Sequence, residues 1–375
     1  MKKIGIVTLS GNFNYGNRLQ NYALQKVLEK KGFEVETLEI SFSRVSKVNK
    51  FMKALIRGCM SPSLIKKIFQ KREYGKDFSE MSKLKSPKLL PFTKEYIRTR
   101  YIESENELST VASQYDYFIT GSDQVWNQSA MSDATFFLDF VPIEKRYSYA
   151  ASFGKNSILN ADKRYYKTNI NGMREISVRE FQGYSIVKDL TNRDAHVHLD
   201  PTMLLTAEEW RTLALQESFE WLPKKKFILR YVLRGMSETK EEELLEFKKK
   251  YNYEVITIMG DSIKEDNEIL TVIQFLQAID KAEFVMTDSF HGSVFSILLN
   301  TPFQVLERST GNMNSRLDTL LEKFDLKQNS SKENVGLEKL LQTDFSKIEA
   351  ILSSERQKSI DYLDSFLINK ETINE

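Results

Sequence analysis

The stretch Phe284–Phe295, with the sequence FVMTDSFHGSVF, contains the residues whose types and spacing best suit acid–base chemistry. Its pattern predicts a short apolar strand over residues 284–286, a polar turn, and a helix that opens near His291 and Gly292. In open α/β sheets, ligands bind outside the carboxyl ends of the strands, where such a turn lies. The first N–H groups of a helix and its dipole favour an anion, and a histidine there can exchange protons near neutral pH.

The polar side chains of this turn have more than one interpretation. Asp288 or Ser289 can cap the new helix through a side-chain oxygen. His291, one of three histidines in the chain, is either an acid–base group or only a second cap beside a tight turn. On the residues alone, both interpretations of His291 are open.

A second polar loop, GSDQVWN over residues 121–127, follows the predicted strand Asp116–Thr120. Ser122 lies near its start, and Asp123 in it can bind or deprotonate a hydroxyl. An indole face such as that of Trp126 stacks on sugar rings, so the loop suits a carbohydrate ligand. The alternative is a capped turn beside a tryptophan that belongs to the core.

The loop after the first predicted strand is rich in amides. Its sequence, SGNFNYGN over residues 10–17, contains neither a dinucleotide-binding fingerprint nor a P-loop, so no nucleotide is indicated. Asn14, Gly16 and Asn17 can instead hold a polar ligand such as a sugar, before a helix predicted over residues 18–31. A simple turn whose amides cap that helix is the other interpretation.

Charged residues also follow the later strands. Arg179 follows a short strand predicted over residues 175–178. A loop rich in Gly, Asn and Ser runs from Arg308 to Asn314, and Arg316 starts another predicted helix. His196 and His198 alternate and therefore share one strand face, with no Cys, Asp or Glu beside them at the spacing of a metal site. We therefore predict a structural role for these two histidines and no metal centre.

The totals of the chain are those of a globular protein. With 375 residues, 41% of them hydrophobic and 28% charged, the chain exceeds what one core normally holds, so two domains are expected. A net charge of +2 provides no general reason to expect nucleic-acid binding. The single cysteine, Cys59, excludes an intramolecular disulfide and fits a cytoplasmic location. The apolar run at residues 4–9 is too short for a signal peptide or a membrane span.

The alternation of strands and helices predicts an α/β fold of two Rossmann-like, doubly wound domains that face a cleft. The first domain is expected over residues 1–199 and the second over residues 200–336, with a crossing point at Asp200-Pro201. The charged helical tail, residues 337–375, is expected to pack back on the first domain. Polar loops of both domains would then face one cleft, which suits a two-substrate transferase.

A local excess of positive charge lies in a predicted helical insertion over residues 43–90, where lysine and arginine outnumber acidic residues by ten. Apolar residues between Val45 and Cys59 are spaced as one helix face, and basic residues such as Lys47 and Lys50 lie largely off it. A basic amphipathic helix of this kind suits peripheral contact with the anionic inner face of a membrane. The other interpretation is a solvated helical pair that packs on its own domain.

Five blocks, taken in order, resemble the polysaccharide pyruvyl transferase family. They are GNFNYGNRLQNYAL, YFITGSDQVWN, ISVRE, LDPTMLL and TDSFHGSVFSILLNTPF, and the resemblance covers most of the chain. Together the blocks are specific for the family, although no single block is. The resemblance implies two Rossmann-like domains arranged as in GT-B glycosyltransferases.

The same resemblance implies an activity in exopolysaccharide biosynthesis. Members transfer the enolpyruvyl unit of phosphoenolpyruvate to two hydroxyls of a sugar, which yields a cyclic pyruvate ketal and phosphate. Their acceptors are cell-surface glycans or the lipid-linked precursors of these glycans. His291 corresponds to the family's histidine after a strand, and Arg179 to its arginine near the SVRE block, a partner for phosphate or carboxylate. Phosphoenolpyruvate is then a donor substrate, and no cofactor is expected.

The chain departs from the family at one important position. Many members have Arg-Leu-His where this chain has Ser289-Phe290-His291, and the family's arginine would help to hold phosphoenolpyruvate. The positive charge must then come from elsewhere, with Arg316 and Arg308 as the candidates, or the donor is different. Two further classes therefore stay open: a GT-B glycosyltransferase that uses a nucleotide sugar, and a non-catalytic glycan-binding protein.

Overall fold

The computed structural model describes residues 1–41, 62–127, 134–260, 267–307 and 315–368, without the side chains of residues 62–78. The strands in these ranges are β1 (Lys3–Val7), β2 (Glu34–Ile40), β3 (Thr99–Ile102), β4 (Tyr117–Thr120), β5 (Arg146–Ser148), β6 (Ser177–Val178), β7 (His196–Val197), β8 (Phe227–Tyr231), β9 (Glu254–Ile258), β10 (Phe284–Thr287) and β11 (Phe303–Val305).

The α-helices in the same ranges alternate with these strands. They are α1 (Tyr15–Lys30), α2 (Pro62–Tyr96), α3 (Glu105–Gln114), α4 (Lys163–Asn171), α5 (Phe181–Thr191), α6 (Ala207–Ala214), α7 (Glu238–Tyr251), α8 (Val272–Lys281), α9 (Phe290–Leu299), α10 (Ser315–Lys323), α11 (Leu337–Leu340) and α12 (Ile348–Leu367).

The first sheet is parallel and has the strand order β3-β2-β1-β4-β5. Its central strands β1 and β4 are apolar and almost fully buried, as a sheet covered by helices on both faces requires. β6 pairs with β7, and isolated bridges such as Ala151 to Val178 join them to the chain that follows β5. The strand order reverses between β1 and β4, so the loops after these two strands open at a topological switch point.

The second sheet is also parallel and has the order β11-β10-β8-β9. Every residue of β10 is buried, and its switch point lies between β8 and β10. The predicted α/β class with two Rossmann-like domains is therefore confirmed. The carboxyl end of β10 carries the turn into α9 that contains His291.

The start of α1 differs from the prediction for a local reason. The helix begins at Tyr15 rather than at Arg18, because Asn14 caps it: Asn14 Oδ1 accepts a hydrogen bond from Asn17 N at 3.1 Å. Gly16 and Asn17 therefore lie in the first helical turn and not in a loop. Of the two interpretations of this amide-rich stretch, the capping role of Asn14 is the one that the hydrogen bonds support.

β5 is shorter than its apolar pattern predicts. The prediction extends from Tyr147 to Ser152, but the ladder ends at Ser148. Ala150 has a left-handed backbone with φ of 47°, a conformation that a regular strand does not contain. The chain therefore turns at this point toward β6.

The N-terminus of α1 forms a contact between the two domains. Tyr15 OH donates a hydrogen bond to Leu270 O at 3.2 Å, and it accepts one from Leu270 N at 3.1 Å. The Tyr15 ring stacks on Phe275 of α8 with centroids 4.7 Å apart, and it meets Tyr231 of β8 edge-on. This contact brings the chain that follows β1 against the second sheet.

The C-terminal helix α12 packs on the first sheet, although it follows the second sheet in the chain. The Phe366 ring stacks on Tyr147 with centroids 4.0 Å apart. Tyr362 OH donates a hydrogen bond to Ser148 O at 2.9 Å, and Lys31 Nζ lies 2.6 Å from Asp364 Oδ1. The helix is thereby attached to both β5 and the end of α1.

Residues 62–90 of the basic insertion lie in α2, which contacts the second domain through Lys85. Lys85 of α2 is buried, and its Nζ donates a hydrogen bond to Gly260 O at 2.9 Å. The predicted helix face from Val45 to Cys59, with Lys47, Lys50 and Lys53, lies outside the described residues. Among the described residues, no helix combines the length and the apolar character that a membrane span needs.

Candidate functional site

Asp200 lies at the centre of a buried polar cluster between the two domains. Its Oδ2 accepts a hydrogen bond from Arg179 Nη1 at 2.6 Å. The same oxygen lies 3.1 Å from Ser122 Oγ and 3.5 Å from His291 Nε2. Asp200 Oδ1 accepts hydrogen bonds from the backbone N and the hydroxyl of Thr202, at 3.1 and 2.7 Å. The carboxylate is thus fixed on one side, and on the other side it gathers groups from both sheets.

Arg179 follows β6 and has only 2% of its side chain exposed. Its Nη2 lies 3.4 Å from Asp123 Oδ1, and its guanidinium lies 4.3 Å from the centroid of the Phe290 ring. Arg179 Nε has no hydrogen-bond partner among the described residues. A buried guanidinium with one unmet donor is a group that a bound oxyanion can satisfy.

Asp123 follows β4, and side-chain amides of α1 hold the loop around it. Its Oδ2 lies 3.4 Å from Asn17 Nδ2, and Asn17 Oδ1 accepts a hydrogen bond from Arg18 Nε at 3.0 Å. Ser122 N donates to Gln20 Oε1 at 3.0 Å. The residues Asn17, Ser122 and Asp123, predicted from two separate loops, therefore lie in one cluster.

His291 lies in the first turn of α9 and contacts the first turn of α1 across the domain junction. A Cβ atom on Gly16 would lie 2.0 Å from His291 Nδ1, so this approach requires a glycine. The imidazole is buried, and its Nε2 has no hydrogen bond among the described residues. The ring is therefore held between Gly16 and Asp200.

Asp288, Ser289 and Gly292 build the turn that presents His291. Ser289 is the N-cap of α9, and its Oγ accepts a hydrogen bond from Gly292 N at 3.3 Å. Asp288 Oδ1 accepts a hydrogen bond from Leu233 N at 2.6 Å, which joins the chain ends after β10 and β8. Of the two predicted caps, Ser289 is the one that caps the helix. These contacts are structural and orient His291.

Arg316 adds a second buried guanidinium near the cluster. It lies in the first turn of α10, 5.8 Å from the centroid of the Phe290 ring. Phe290 also meets His291 edge-on, with ring centroids 5.3 Å apart. One aromatic ring therefore adjoins Arg179, Arg316 and His291. Arg308, the other predicted source of charge, lies outside the described residues.

The structure corrects the interpretation of Trp126 as a platform for sugars. The indole is fully buried and stacks on Phe137 with centroids 5.3 Å apart. Its Nε1 donates a hydrogen bond to Phe136 O at 3.0 Å. Because the ring packs and its N–H group is hydrogen-bonded inside the first domain, Trp126 is a core residue.

His198 is buried beside Tyr149 and Tyr362, with ring centroids 6.1 and 4.6 Å away. Its Nδ1 lies 3.0 Å from Ser177 Oγ. Burial lowers the pKa of His198 to about 3, so the imidazole is neutral at physiological pH. Within the described ranges, no group of three His, Cys, Asp or Glu side chains could hold a metal ion.

The charges of the cluster stabilise one another. Burial raises the pKa of the Asp200 carboxyl, but His291 and Arg179 outweigh this effect and hold the pKa below its ordinary value. Burial acts in the same way on Asp123, and Arg179 is the main group that lowers its pKa. Burial lowers the pKa of Arg179, but Asp200 and Asp123 raise it above its ordinary value. Both carboxylates and the guanidinium are therefore ionised in the folded protein.

Asp200 and Phe290 are the two residues of the cluster whose roles the sequence did not indicate. In the sequence, Asp200 marks only a crossing point between domains, and Phe290 only a difference from the family. A usable signal exists for Asp200, because it follows a short strand just as Asp123 does. No comparable signal exists for Phe290, whose contacts come from three separate elements.

Solved structures of similar fold cover nearly the whole chain. A UDP-GlcNAc 2-epimerase from Methanocaldococcus jannaschii is 11% identical, with 97% of this chain and 100% of that chain covered and a TM-score of 0.52. A putative UDP-N-acetylglucosamine 2-epimerase from Listeria monocytogenes is 13% identical, with 99% and 98% covered and a TM-score of 0.50. At these identities the likeness shows the fold alone, which is GT-B-like. No curated protein matches the chain.

A match to a sequence family covers most of the chain. The family described as polysaccharide pyruvyl transferase matches residues 14–310. The matched region begins at the cap of α1 and contains Asp123, Arg179, Asp200 and His291. It ends before α10, so α12 lies outside it. The chain therefore belongs to the polysaccharide pyruvyl transferase family.

Proposed function

We propose that this protein transfers the enolpyruvyl unit of phosphoenolpyruvate to two hydroxyls of a sugar, forming a pyruvate ketal. The observation that carries the proposal is a pair of buried nitrogens, Arg179 Nε and His291 Nε2, that have no hydrogen-bond partner among the described residues. Both belong to side chains that contact Asp200 near the carboxyl ends of parallel strands. An anionic ligand at such a switch point would provide the missing partners.

The distribution of charge favours a small anionic donor. Phosphoenolpyruvate has a phosphate and a carboxylate, and guanidinium groups bind such oxyanions through paired N–H donors. Arg179 and Arg316 adjoin the same Phe290 ring, so two guanidinium groups are within reach of one ligand. Many members of the family have an arginine at the position of Ser289, but here Ser289 is the N-cap of α9. In this proposal Arg316 supplies the positive charge of that arginine.

His291 is the proposed general acid. A protonated imidazole would donate its proton to C3 of phosphoenolpyruvate, which converts the methylene group to a methyl group and makes C2 electrophilic. A sugar hydroxyl would then attack C2. The anionic carboxylate of Asp200, with Oδ2 at 3.5 Å from His291 Nε2, supports the proposal because it stabilises a positive charge on the ring.

Asp123 is the proposed acceptor of the hydroxyl proton. Because its pKa is lowered, the Asp123 carboxylate is ionised before the reaction, when it is suited to orient a hydroxyl. It would take the proton while the oxygen bonds to C2, when that proton becomes acidic. A second sugar hydroxyl would then displace phosphate from C2, closing the ketal, and its proton would leave with the phosphate.

Thermal unfolding with phosphoenolpyruvate, UDP or GDP tests the donor, because a ligand of the native state raises the melting temperature. We expect a rise with phosphoenolpyruvate that disappears in Arg179→Ala and persists in the control Arg174→Ala, whose side chain is exposed. A rise with a nucleotide alone would indicate a glycosyltransferase. No rise with any of the three, even with a glycan acceptor present, would indicate a non-catalytic glycan-binding protein.

Turnover tests the acid directly. His291→Gln should lower the rate of phosphate release from phosphoenolpyruvate and acceptor by about 10²–10⁴ while the fold is retained. Near wild-type turnover in this variant would remove His291 from the mechanism.

The acceptor and the location belong to the same proposal. The family supports a cell-surface glycan or its lipid-linked precursor as acceptor, processed in the cytoplasm at the inner face of the membrane. The basic insertion, residues 43–90, would provide the peripheral contact. Charge reversal at Lys47, Lys50 and Lys53 should weaken binding to anionic vesicles, and unchanged binding would exclude this contact.

A further inference from the structure

The C-terminal helix α12 lies outside the family match, yet it contacts the segment that carries Asp200. We infer that Arg356 and Ser359 of α12 are positioning residues of the site. They hold the backbone on both sides of Asp200, so that its carboxylate keeps Arg179 and His291 in place. This inference rests on the proposed function.

On the N-terminal side of Asp200, both polar backbone atoms of Leu199 are held by side chains. Leu199 N donates a hydrogen bond to Ser359 Oγ at 3.3 Å, and Ser359 is fully buried. Leu199 O accepts a hydrogen bond from Tyr149 OH at 3.0 Å. The residue before Asp200 is therefore attached to α12 on one side and to the first domain on the other.

On the C-terminal side of Asp200, a helical turn of residues 201–204 is closed by Arg356. Arg356 Nε donates a hydrogen bond to Met203 O at 2.7 Å, and Nη2 donates to Leu205 O at 3.2 Å. Carbonyl groups at the end of a helical turn lack partners within the turn, and a cation satisfies them well. Asp200 caps the beginning of this turn, so Arg356 and Asp200 stabilise its two ends.

The same helix also contacts the element that carries Arg316. Glu355 of α12 pairs with Lys323 of α10, and both side chains are only 14% exposed. α12 thus connects the segment of Asp200 with the helix of Arg316. A displacement of about 1 Å at a reacting group can cost about 10² in rate, so this attachment matters for catalysis.

Steady-state kinetics of Arg356→Gln and Ser359→Ala test the inference, with the adjacent exposed residue Gln357→Ala as control. We expect the KM for phosphoenolpyruvate to rise by about fivefold or more and kcat to fall by about tenfold, with the KM for acceptor unchanged. Arg356→Lys should recover part of the loss, because it restores one cation at the carbonyls. A merely structural role would lower the amount of active enzyme without changing the KM for the donor.

The inference is overturned if Arg356→Gln and Ser359→Ala fold and show the same kinetics as Gln357→Ala. If Arg356→Gln does not fold, Ser359→Ala decides alone. If the wild-type protein neither binds nor uses phosphoenolpyruvate, the proposed function fails separately. The crystal structure of Ser359→Ala or Arg356→Gln then decides: loss of the 2.6 Å contact between Asp200 Oδ2 and Arg179 Nη1 supports the inference, and its retention contradicts it.

Discussion

Asp200 faces a buried guanidinium and an imidazole, so a change of its charge should affect both stability and turnover. Asp200→Asn preserves the shape of the side chain and removes the charge. Removal of one partner of a buried ion pair costs about 3–5 kcal/mol, and we expect this decrease in the free energy of unfolding. Turnover with phosphoenolpyruvate should fall by about 10²-fold or more, because Arg179 and His291 lose their common partner. Denaturant unfolding and a phosphate-release assay measure the two effects.

The matched control is Asp194→Asn. Asp194 pairs with Lys188 at 2.8 Å, and 77% of its side chain is exposed. Exposed ion pairs contribute about 0–1 kcal/mol, so this substitution should change stability little and turnover not at all. Similar effects of the two substitutions would contradict a special role for Asp200.

Gly16 provides the close contact between α1 and the imidazole of His291. In Gly16→Ala, the new Cβ atom would overlap the ring, which must then move away from Asp200. Alanine favours a helix more than glycine does, so α1 itself should not be weakened. We expect turnover to fall by about 10²-fold with an unchanged circular dichroism spectrum. The control is Gly336→Ala, where a Cβ atom meets nothing within 4 Å, and it should behave as wild type. Equal activity of Gly16→Ala and Gly336→Ala would exclude a role for the contact between Gly16 and His291.

The rings of Tyr149 and of Tyr362 in α12 pack on the buried His198, which follows β7, and this burial makes the stability of the protein depend on pH. The pKa of His198 is about 3 in the folded protein, and that of an unfolded histidine is about 6.5. Between these values the unfolded chain binds a proton that the folded chain does not. The contribution of His198 to the free energy of unfolding is therefore fully present above a pH of about 6.5, and it decreases as the pH falls toward 3, by up to about 1.4 kcal/mol per pH unit.

His198→Phe tests this dependence. The substitution removes the titrating group, so the free energy of unfolding should vary less steeply with pH between about 6.5 and 3. Urea unfolding at several pH values measures the slope. His196→Phe is the comparison: His196 is exposed in β7, and removal of its charge beside His198 should change the slope less than removal of His198 itself. An unchanged slope in His198→Phe would mean that other groups account for the acid sensitivity.

The two domains are joined where Tyr15 of α1 reaches the chain before α8. Tyr15→Phe would keep the stacking on Phe275 and leave the backbone N–H and C=O of Leu270 without their partner. Buried polar groups without a partner cost about 1–3 kcal/mol, so the free energy of unfolding should fall by this amount. Turnover should fall as well, because the same junction sets Gly16 against His291.

Urea unfolding and turnover of Tyr101→Phe provide the control for the domain junction. Tyr101 is 55% exposed, so removal of its hydroxyl should change neither quantity measurably. If Tyr15→Phe has the stability and activity of this control, the hydrogen bonds to Leu270 do not hold the domains in their working arrangement.

The fold class and the polar turns after the strands follow from the sequence alone. Apolar periodicity, capping residues and turn residues act over a few neighbouring positions, so they are visible in the chain without its tertiary structure. For this reason the sequence identifies His291 after β10 and Asp123 after β4 as candidates, and the block order identifies the family. Ends of elements shift where a cap or a backbone conformation intervenes, as at Asn14 and Ala150.

The central position of Asp200, the burial of Trp126 and the attachment of α12 emerge only in the tertiary structure. Each depends on contacts between residues far apart in the chain: Ser122 and Asp200 are 78 positions apart, and Leu199 and Ser359 are 160. Such contacts are set by the packing of whole elements and not by local pattern. An aspartate before a proline looks the same in the sequence whether it ends a domain or holds an active site, and only the groups packed around Asp200 distinguish the two.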